Sequence, residues 1–288
     1  MWIHLNGRLV VEEEARVSVF DRGLLFGDGV FEAMRAVAGR VFRLERHVRR
    51  LERSAVSIGL DLPWGADRVG ALVDELLESN QLSEARVRLT VTRGRGRPGD
   101  YIGADSPPTV FATAAPFQAL PSRDYAEGVR VSIAGRRAIP HASIDASIKS
   151  ISRLASVLAR REARQKGDHE AILLDGAGCV TEGTASNLFL VERGDLVTPP
   201  APDGSLPGIT REAILELARE AGRAVGEESI PTGRLHAAEE IFLTNTSWGV
   251  LPVTRIDDRA VSGGCPGPVT TSLLDLYRSL VRRECGGG

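Results

Sequence analysis

Two of the 36 Lys and Arg residues are lysines, Lys149 and Lys166, and the remaining 34 are arginines. Arginine carries surface charge as well as lysine does but stays protonated at any working pH, whereas an ammonium can lose its proton and attack a carbonyl carbon. The two retained amines are therefore the first candidates for chemistry. Lys166 ends the polar run Arg161-Glu162-Ala163-Arg164-Gln165 just before Gly167, and it reads as the solvated last turn of a helix. Lys149 stands among Ile144, Ile148, Ile151 and Leu154. Desolvation there favours the neutral, nucleophilic amine. A lysine snorkelling from a helix start is the other local reading.

Three further patches carry complementary chemistry: Thr181-Glu182-Gly183-Thr184-Ala185-Ser186-Asn187, Pro207-Gly208-Ile209-Thr210-Arg211 and Thr244-Asn245-Thr246-Ser247. On local grounds Glu182 is an ordinary turn glutamate. Beside a reactive amine it gains a second meaning. A lysine to condense with an aldehyde, a carboxylate for a ring nitrogen, and a helix start with hydroxyls for a phosphate are the requirements of pyridoxal phosphate.

Further motifs follow in order along the chain: Phe20-Asp21-Arg22-Gly23-Leu24-Leu25-Phe26-Gly27-Asp28-Gly29-Val30-Phe31-Glu32, His47-x-x-Arg50-Leu51, Ile148-Lys149-Ser150-Ile151-Ser152-Arg153-Leu154 and Gly267-Pro268-Val269-Thr270. With these the chain resembles, over nearly its whole length, the fold-type IV (class IV) pyridoxal phosphate aminotransferase family. That family includes branched-chain and D-amino-acid aminotransferases, aminodeoxychorismate lyases and R-selective amine transaminases. The resemblance implies two α/β domains with the cofactor in the cleft between them, and a homodimer whose partner loop helps close the site. It implies that Lys149 forms the Schiff base and shuttles the substrate's proton, and that Glu182 faces the pyridine nitrogen. It gives the phosphate to Arg50, Ile209, Thr210 and Thr246, and the ring's apolar face to Leu206. Locally Arg50 is one of several helix arginines with Arg46, Arg49 and Arg53, and only its place in the motif singles it out; its planar fork would suit a phosphate bidentately.

On the substrate side the resemblance points to Phe31, Arg95, Arg97, Ser247 and Trp248, the last either walling the pocket or packed in the core. Departures from the family matter here. D-amino-acid aminotransferases hold the substrate carboxylate with an Arg-x-His pair after Thr-Arg-Gly, but the gapless counterparts after Thr92-Arg93-Gly94 are Pro98 and Asp100. Arg95 or Arg97 could serve from the same loop. Lyases commonly carry a threonine relay where this chain has Ala33, although Asn245 to Val253 looks closer to lyases. The expected activity is transfer of an amino group from an apolar or aryl amino acid or amine to a 2-oxo acid. An aminodeoxychorismate lyase is the alternative, followed by a non-catalytic pyridoxal phosphate carrier.

At 288 residues, 42% hydrophobic, the chain can bury one large core or two smaller ones. A net charge of −2 with interleaved signs offers no face for nucleic acid, and no apolar run approaches the roughly 18 residues needed to span a bilayer. The N-terminus lacks a signal peptide's pattern, so a cytoplasmic location is expected. Three widely spaced cysteines and five scattered histidines suggest neither disulfides nor a metal site. Pro98 interrupts Gly94-Arg95-Gly96-Arg97-Pro98-Gly99, which excludes a dinucleotide loop.

Elements must place these residues. Asn6-Gly7 marks a hairpin and Ala38-Gly39-Arg40 a second. Leu44, Val48, Leu51, Ala55 and Ile58 recur at helical spacing, as do apolar residues over 66–80, about 150–165, 210–222 and 267–283. Residues 116–127, with two prolines and no period, read as a connection. The expected domains are 1–118 and 128–288, the second a pseudo-barrel carrying the lysine, joined by an interdomain loop at 119–127. A disordered tail is expected at 286–288.

Overall fold

The computed structural model describes residues 1–99, 101–102, 106–201 and 204–286. Asp100 and the last two glycines of the expected tail lie outside them. The chain divides into two compact units, one of Met1–Gln118, Ile148–Ser152 and Val281–Gly288, the other of Ala119–Ser147 and Arg153–Leu280.

The first unit is a six-stranded sheet under two helices. Its elements are β1 (Trp2–Leu5), β2 (Arg8–Val11), α1 (Arg22–Phe26), β3 (Gly29–Val37), β4 (Arg40–Val41), α2 (Leu44–Ser57), α3 (Ala66–Ser79), β5 (Ala85–Thr92) and β6 (Thr109–Pro116), with sheet order β2-β1-β6-β5-β3-β4. Asn6 and Gly7 turn β1 into β2 with φ of 48° and 86°, the left-handed pair that a two-residue hairpin needs. Strand alternation decides the faces. Val30, Met34 and Ala36 of β3 and Val87, Leu89 and Val91 of β5 meet Val48, Leu51 and Ala55 of α2 and Leu72, Val73 and Leu76 of α3 in one buried cluster. The opposite face of the same strands carries Phe31, paired in register with Thr90, and Ala33, paired with Arg88.

The second unit contains α4 (Ser122–Ala126), β7 (Val129–Arg137), α5 (Leu154–Gln165), β8 (Glu170–Leu174), β9 (Cys179–Gly183), β10 (Asn187–Glu192), β11 (Asp195–Thr198), α6 (Ile209–Glu220), β12 (Val225–Glu227), β13 (Ile230–Pro231), α7 (Thr232–Ala237), β14 (Glu240–Asn245), β15 (Gly249–Ile256), β16 (Arg259–Ala260) and α8 (Pro268–Cys285), whose last residues count with the first unit. The strand order is β12-β11-β10-β14-β15-β7-β8-β9-β13, with β16 on β15. Strands β8, β10 and β14 are apolar along most of their length and buried throughout or nearly so, as sheets covered on both faces are. No helix of the described residues is long and apolar enough to cross a membrane.

Two expectations change. Helix α5 begins at Leu154, not near 150, because Ile148–Ser152 is a bent, non-helical strap: Ser150 bridges Val30, and Phe31 N donates to the Lys149 carbonyl at 3.0 Å. That strap and Val281–Gly288 group with the first unit. The short helix α4 occupies part of the stretch expected to be an aperiodic connection.

Candidate active site

Lys149 is fixed by its backbone on both sides. Its N–H donates to the buried Ser54 hydroxyl of α2 at 3.1 Å, its carbonyl accepts from Phe31, and Ile151 N donates to the Gly29 carbonyl at 3.1 Å. The strap approaches closely because β3 begins with glycine; a Cβ on Gly29 would lie 3.0 Å from Ile151 Cδ1 and 2.6 Å from the Val91 carbonyl oxygen. The half-buried side chain places Nζ 4.9 Å from the centroid of the Phe31 ring. The Arg88 guanidinium lies 3.9 Å from the same centroid, and its Nε donates to Thr90 Oγ1 at 3.2 Å. Sequence reasoning passes over Arg88; the alternation of β5, which sends Arg88 and Thr90 to the face of Phe31, is the signal that finds it. Lys166 caps α5, exposed, 3.8 Å from Glu162.

On the core side of β3, Glu32 is buried and accepts from Arg50 Nε at 2.8 Å and Arg50 Nη2 at 2.7 Å, with His47 Nδ1 at 2.7 Å. Burial alone would raise the Glu32 pKa, but the charge and hydrogen bonds of Arg50, aided by His47, hold it well below the usual carboxylate range. Burial lowers the His47 pKa against the pull of Glu32, and the charges of Arg50 and Lys149 lower it further. With or without a second proton on the ring, the short contact to the carboxylate calls for a proton on Nδ1, which donates to Glu32. The face of Arg50 expected to grip a phosphate bidentately is thus closed on Glu32.

In the second unit Glu182, half-buried on β9, accepts at Oε2 from Leu206 N at 2.9 Å, and Asn187 Nδ2 donates to the Leu206 carbonyl at 2.8 Å. Leu206 is thereby held at its N–H by β9 and at its carbonyl by the first residue of β10. Gly208 then caps α6; a Cβ there would sit 2.0 Å from Asn187 Oδ1, so the chain passes the asparagine only without one. Ile209 and Thr210 open the helix, where the first N–H groups lack intrahelical acceptors and the dipole favours an anion. Thr246 and Ser247, half-buried, lie in the connection from β14 to β15. Since Thr244 pairs with Asn187, that connection emerges at the end of the sheet where β10 starts.

Trp248 is 8% exposed in the second unit's core, its ring edge-on to His169 at 5.2 Å and under the Arg160 guanidinium at 5.7 Å. Of its two sequence readings, this is the packed one. Arg95 and Arg97 are exposed, Arg95 standing 6.0 Å from the centroid of Phe20. Among the described residues no group of His, Cys, Asp and Glu could hold a metal ion.

The amino-transferase class IV family model matches residues 29–256. The chain is similar to the putative branched-chain-amino-acid aminotransferase of Methanocaldococcus jannaschii, 41% identical over 97% of this chain and 96% of that one. It is also similar to the D-alanine aminotransferase of Bacillus licheniformis, 35% identical over 99% and 98%. The structure superposes on the branched-chain amino acid aminotransferase of Escherichia coli at a TM-score of 0.93, with 31% identity, covering 97% and 94%. It superposes on the 4-amino-4-deoxychorismate lyase of Pseudomonas aeruginosa at 0.85, with 31% identity, covering 96% and 98%. The lysine amine beside an aromatic ring, the carboxylate bonded by a backbone N–H and the glycine-capped helix start all lie within a matched span of more than half the sequence, and the chain belongs to the class IV aminotransferases.

Proposed function

We propose that this transaminase uses pyridoxal phosphate to move an amino group from an apolar or aryl amino acid or amine to a 2-oxo acid. The observation that most supports this is the ring of Phe31, shared by the Lys149 amine at 4.9 Å and the Arg88 guanidinium at 3.9 Å. A 2-oxo acid presents a reactive carbon and a carboxylate together, and one apolar surface flanked by an amine and a guanidinium suits both.

The residues suit the cofactor: Gly208 and Asn187 together set the start of α6, whose first N–H groups suit a phosphate, and hydroxyl, carboxylate and amine groups are all present in the chain. When bound, pyridoxal phosphate supplies an electron-accepting ring. Lys149 would hold the cofactor through its amine and would carry the proton at the substrate's α-carbon. The strap's backbone bonds leave only the lysine side chain to swing. Glu182, steadied by Leu206 N, would keep a pyridine nitrogen protonated, and Leu206 would offer the ring an apolar neighbour. Ile209, Thr210 and Thr246 would hold the phosphate, and Arg50 would add charge while its fork stays on Glu32. Arg88 takes the substrate carboxylate beside Phe31; Ser247, Arg95 and Arg97 are further substrate-side candidates.

The elimination chemistry of an aminodeoxychorismate lyase is the second reading. Ala33, on the face of Phe31 and opposite Arg88, has no hydroxyl to relay a proton there. The test is the visible spectrum of the purified protein with single amino donors: bleaching by an apolar or aryl donor and recovery with a 2-oxo acid is expected. Pyruvate and aminobenzoate formed from aminodeoxychorismate, without bleaching by any donor, would overturn transamination.

We further propose a cytoplasmic homodimer of domains 1–118 and 128–288 joined by 119–127, with the strap counted in the first. Val19, Phe20, Leu24, Leu25 and Phe26 are exposed together with Tyr101 and Ile102, and the Phe26 and Tyr101 rings are 5.0 Å apart. An apolar patch of this kind is what a second copy would cover. Sedimentation of the wild type and of a Leu24→Asp, Leu25→Asp variant tests it; two sedimenting as identical monomers would refute it.

A further inference from the structure

The connection Thr246-Ser247-Trp248 between β14 and β15 is held by one side chain. Asn245, paired in register with Gly249, accepts at Oδ1 from Ser247 N at 2.9 Å and from Trp248 N at 3.0 Å. This is an Asx turn, with the carboxamide oxygen in place of a backbone acceptor. The same carboxamide turns outward, and Nδ2 donates to the Ala185 carbonyl at 3.0 Å. Ala185 lies between Glu182 on β9 and Asn187 on β10, so Asn245 ties the turn bearing Thr246 to the loop that follows Glu182.

The far end of the connection is closed from the other side. Gly249 has φ of 72°, and a Cβ there would lie 2.7 Å from Tyr277 Cε1. The Tyr277 hydroxyl stands 3.5 Å from Thr210 Oγ1 at the start of α6. The Trp248 carbonyl accepts from Tyr125 Oη at 3.0 Å, and its ring is in the core. The backbone around Thr246 and Ser247 is therefore set before any ligand arrives.

We propose that Asn245 is a positioning residue that shapes the Thr246-Ser247 turn for a phosphate and registers it against the Glu182 loop; this rests on the phosphate-binding reading of Thr246 and α6. A carboxamide accepts from two N–H groups at its oxygen while its nitrogen, a separate atom, reaches a carbonyl on another loop. Aspartate would keep both acceptor bonds but lose the donor to Ala185 and place a negative charge beside a dianion. Serine could keep one acceptor bond at most, and alanine none.

The test compares dissociation constants of pyridoxal phosphate and of pyridoxal, which lacks the phosphate, for cofactor-free protein, read by quenching of intrinsic tryptophan fluorescence. Wild type should favour the phosphate form. N245A should weaken pyridoxal phosphate about tenfold, the scale of one or two lost hydrogen bonds, and leave pyridoxal unchanged. N245D should lose more than N245A although it preserves the turn. Should N245A fail to fold by circular dichroism, N245S carries the same comparison with a smaller expected loss. Equal weakening of both ligands in every variant would mean a merely structural role and would overturn the proposal, as would wild-type discrimination in N245A and N245D. A wild type that binds the two ligands equally would instead remove the phosphate-binding reading itself.

Discussion

Glu32 holds Arg50 from two nitrogens, Nε at 2.8 Å and Nη2 at 2.7 Å, on a face of β3 otherwise given to Val30, Met34 and Ala36. Both side chains are buried, so each is tolerable only because of the other. The pair fixes the orientation of a guanidinium that α2 would otherwise leave with several rotatable bonds.

Removing the carboxylate should therefore be costly. Glu32→Ala is expected to lower unfolding free energy by roughly 3–5 kcal/mol, since it strands the Arg50 charge. The depressed Glu32 pKa also gives a sign. The carboxylate's contribution is fully present above its ordinary value of 4.5 and is lost as pH falls from there toward the lower folded value. Urea unfolding between pH 3 and 7 should show a shallower acid limb in Glu32→Gln than in wild type; parallel limbs would refute this linkage.

Lys149→Ala should abolish covalent attachment of the cofactor and reduce turnover by several orders of magnitude. Borohydride reduction followed by peptide mapping checks the site. Label on Lys166, which already meets Glu162 at the exposed end of α5, or on the N-terminus, would move the chemistry elsewhere.

Glu182→Gln keeps an oxygen to accept from Leu206 N, so cofactor affinity should change little while the half-reaction slows. Stopped-flow bleaching with one amino donor measures it. Equal rates for mutant and wild type would remove the carboxylate from the electron-sink role.

His169 has its pKa lowered to about 4 by burial first and by the charges of Arg160 and Arg164 next. A group whose folded value is depressed below 6.5 favours the unfolded chain once protons begin to bind there. Stability should therefore fall as pH drops from 6.5 to about 4 and level off below. The drop is at most about 2 kcal/mol once solvent screening of the half-buried ring is allowed for. His169→Phe, which keeps a ring against Trp248, should remove that slope; an unchanged profile across this window would rule His169 out as its source.

Local codes are the legible part of this fold. Asn6-Gly7 specifies its own hairpin through the left-handed φ values it accepts, and the apolar spacing from Leu44 to Ile58 specifies its helix. The strap at Ile148–Ser152 defeats a local reading because Ile148, Ile151 and Leu154 fit a helical period. The hydrogen bonds that decide it come from Gly29 and Phe31, over a hundred residues away in sequence. Such pairing overrides local propensity. The Glu32–Arg50 pair is half visible, for a glutamate between Val30 and Met34 in an alternating strand needs a buried partner. The candidate lysine, the carboxylate and the glycine before α6 can be named from motifs, but which cation shares the ring of Phe31 requires the register of β5 against β3.

The chain passes between its two compact units at four places, after Gln118, Ser147, Ser152 and Leu280. Cutting the connection near 119–127 therefore does not yield two self-sufficient pieces. A fragment ending at Gln118 would leave the Phe31 N–H and the Gly29 carbonyl without the strap that occupies them, and would lack the C-terminal turns from Val281 onward. Protease nicking and split-gene expression at that boundary should consequently succeed only when both pieces are present together, each completing the sheet or helix the other began.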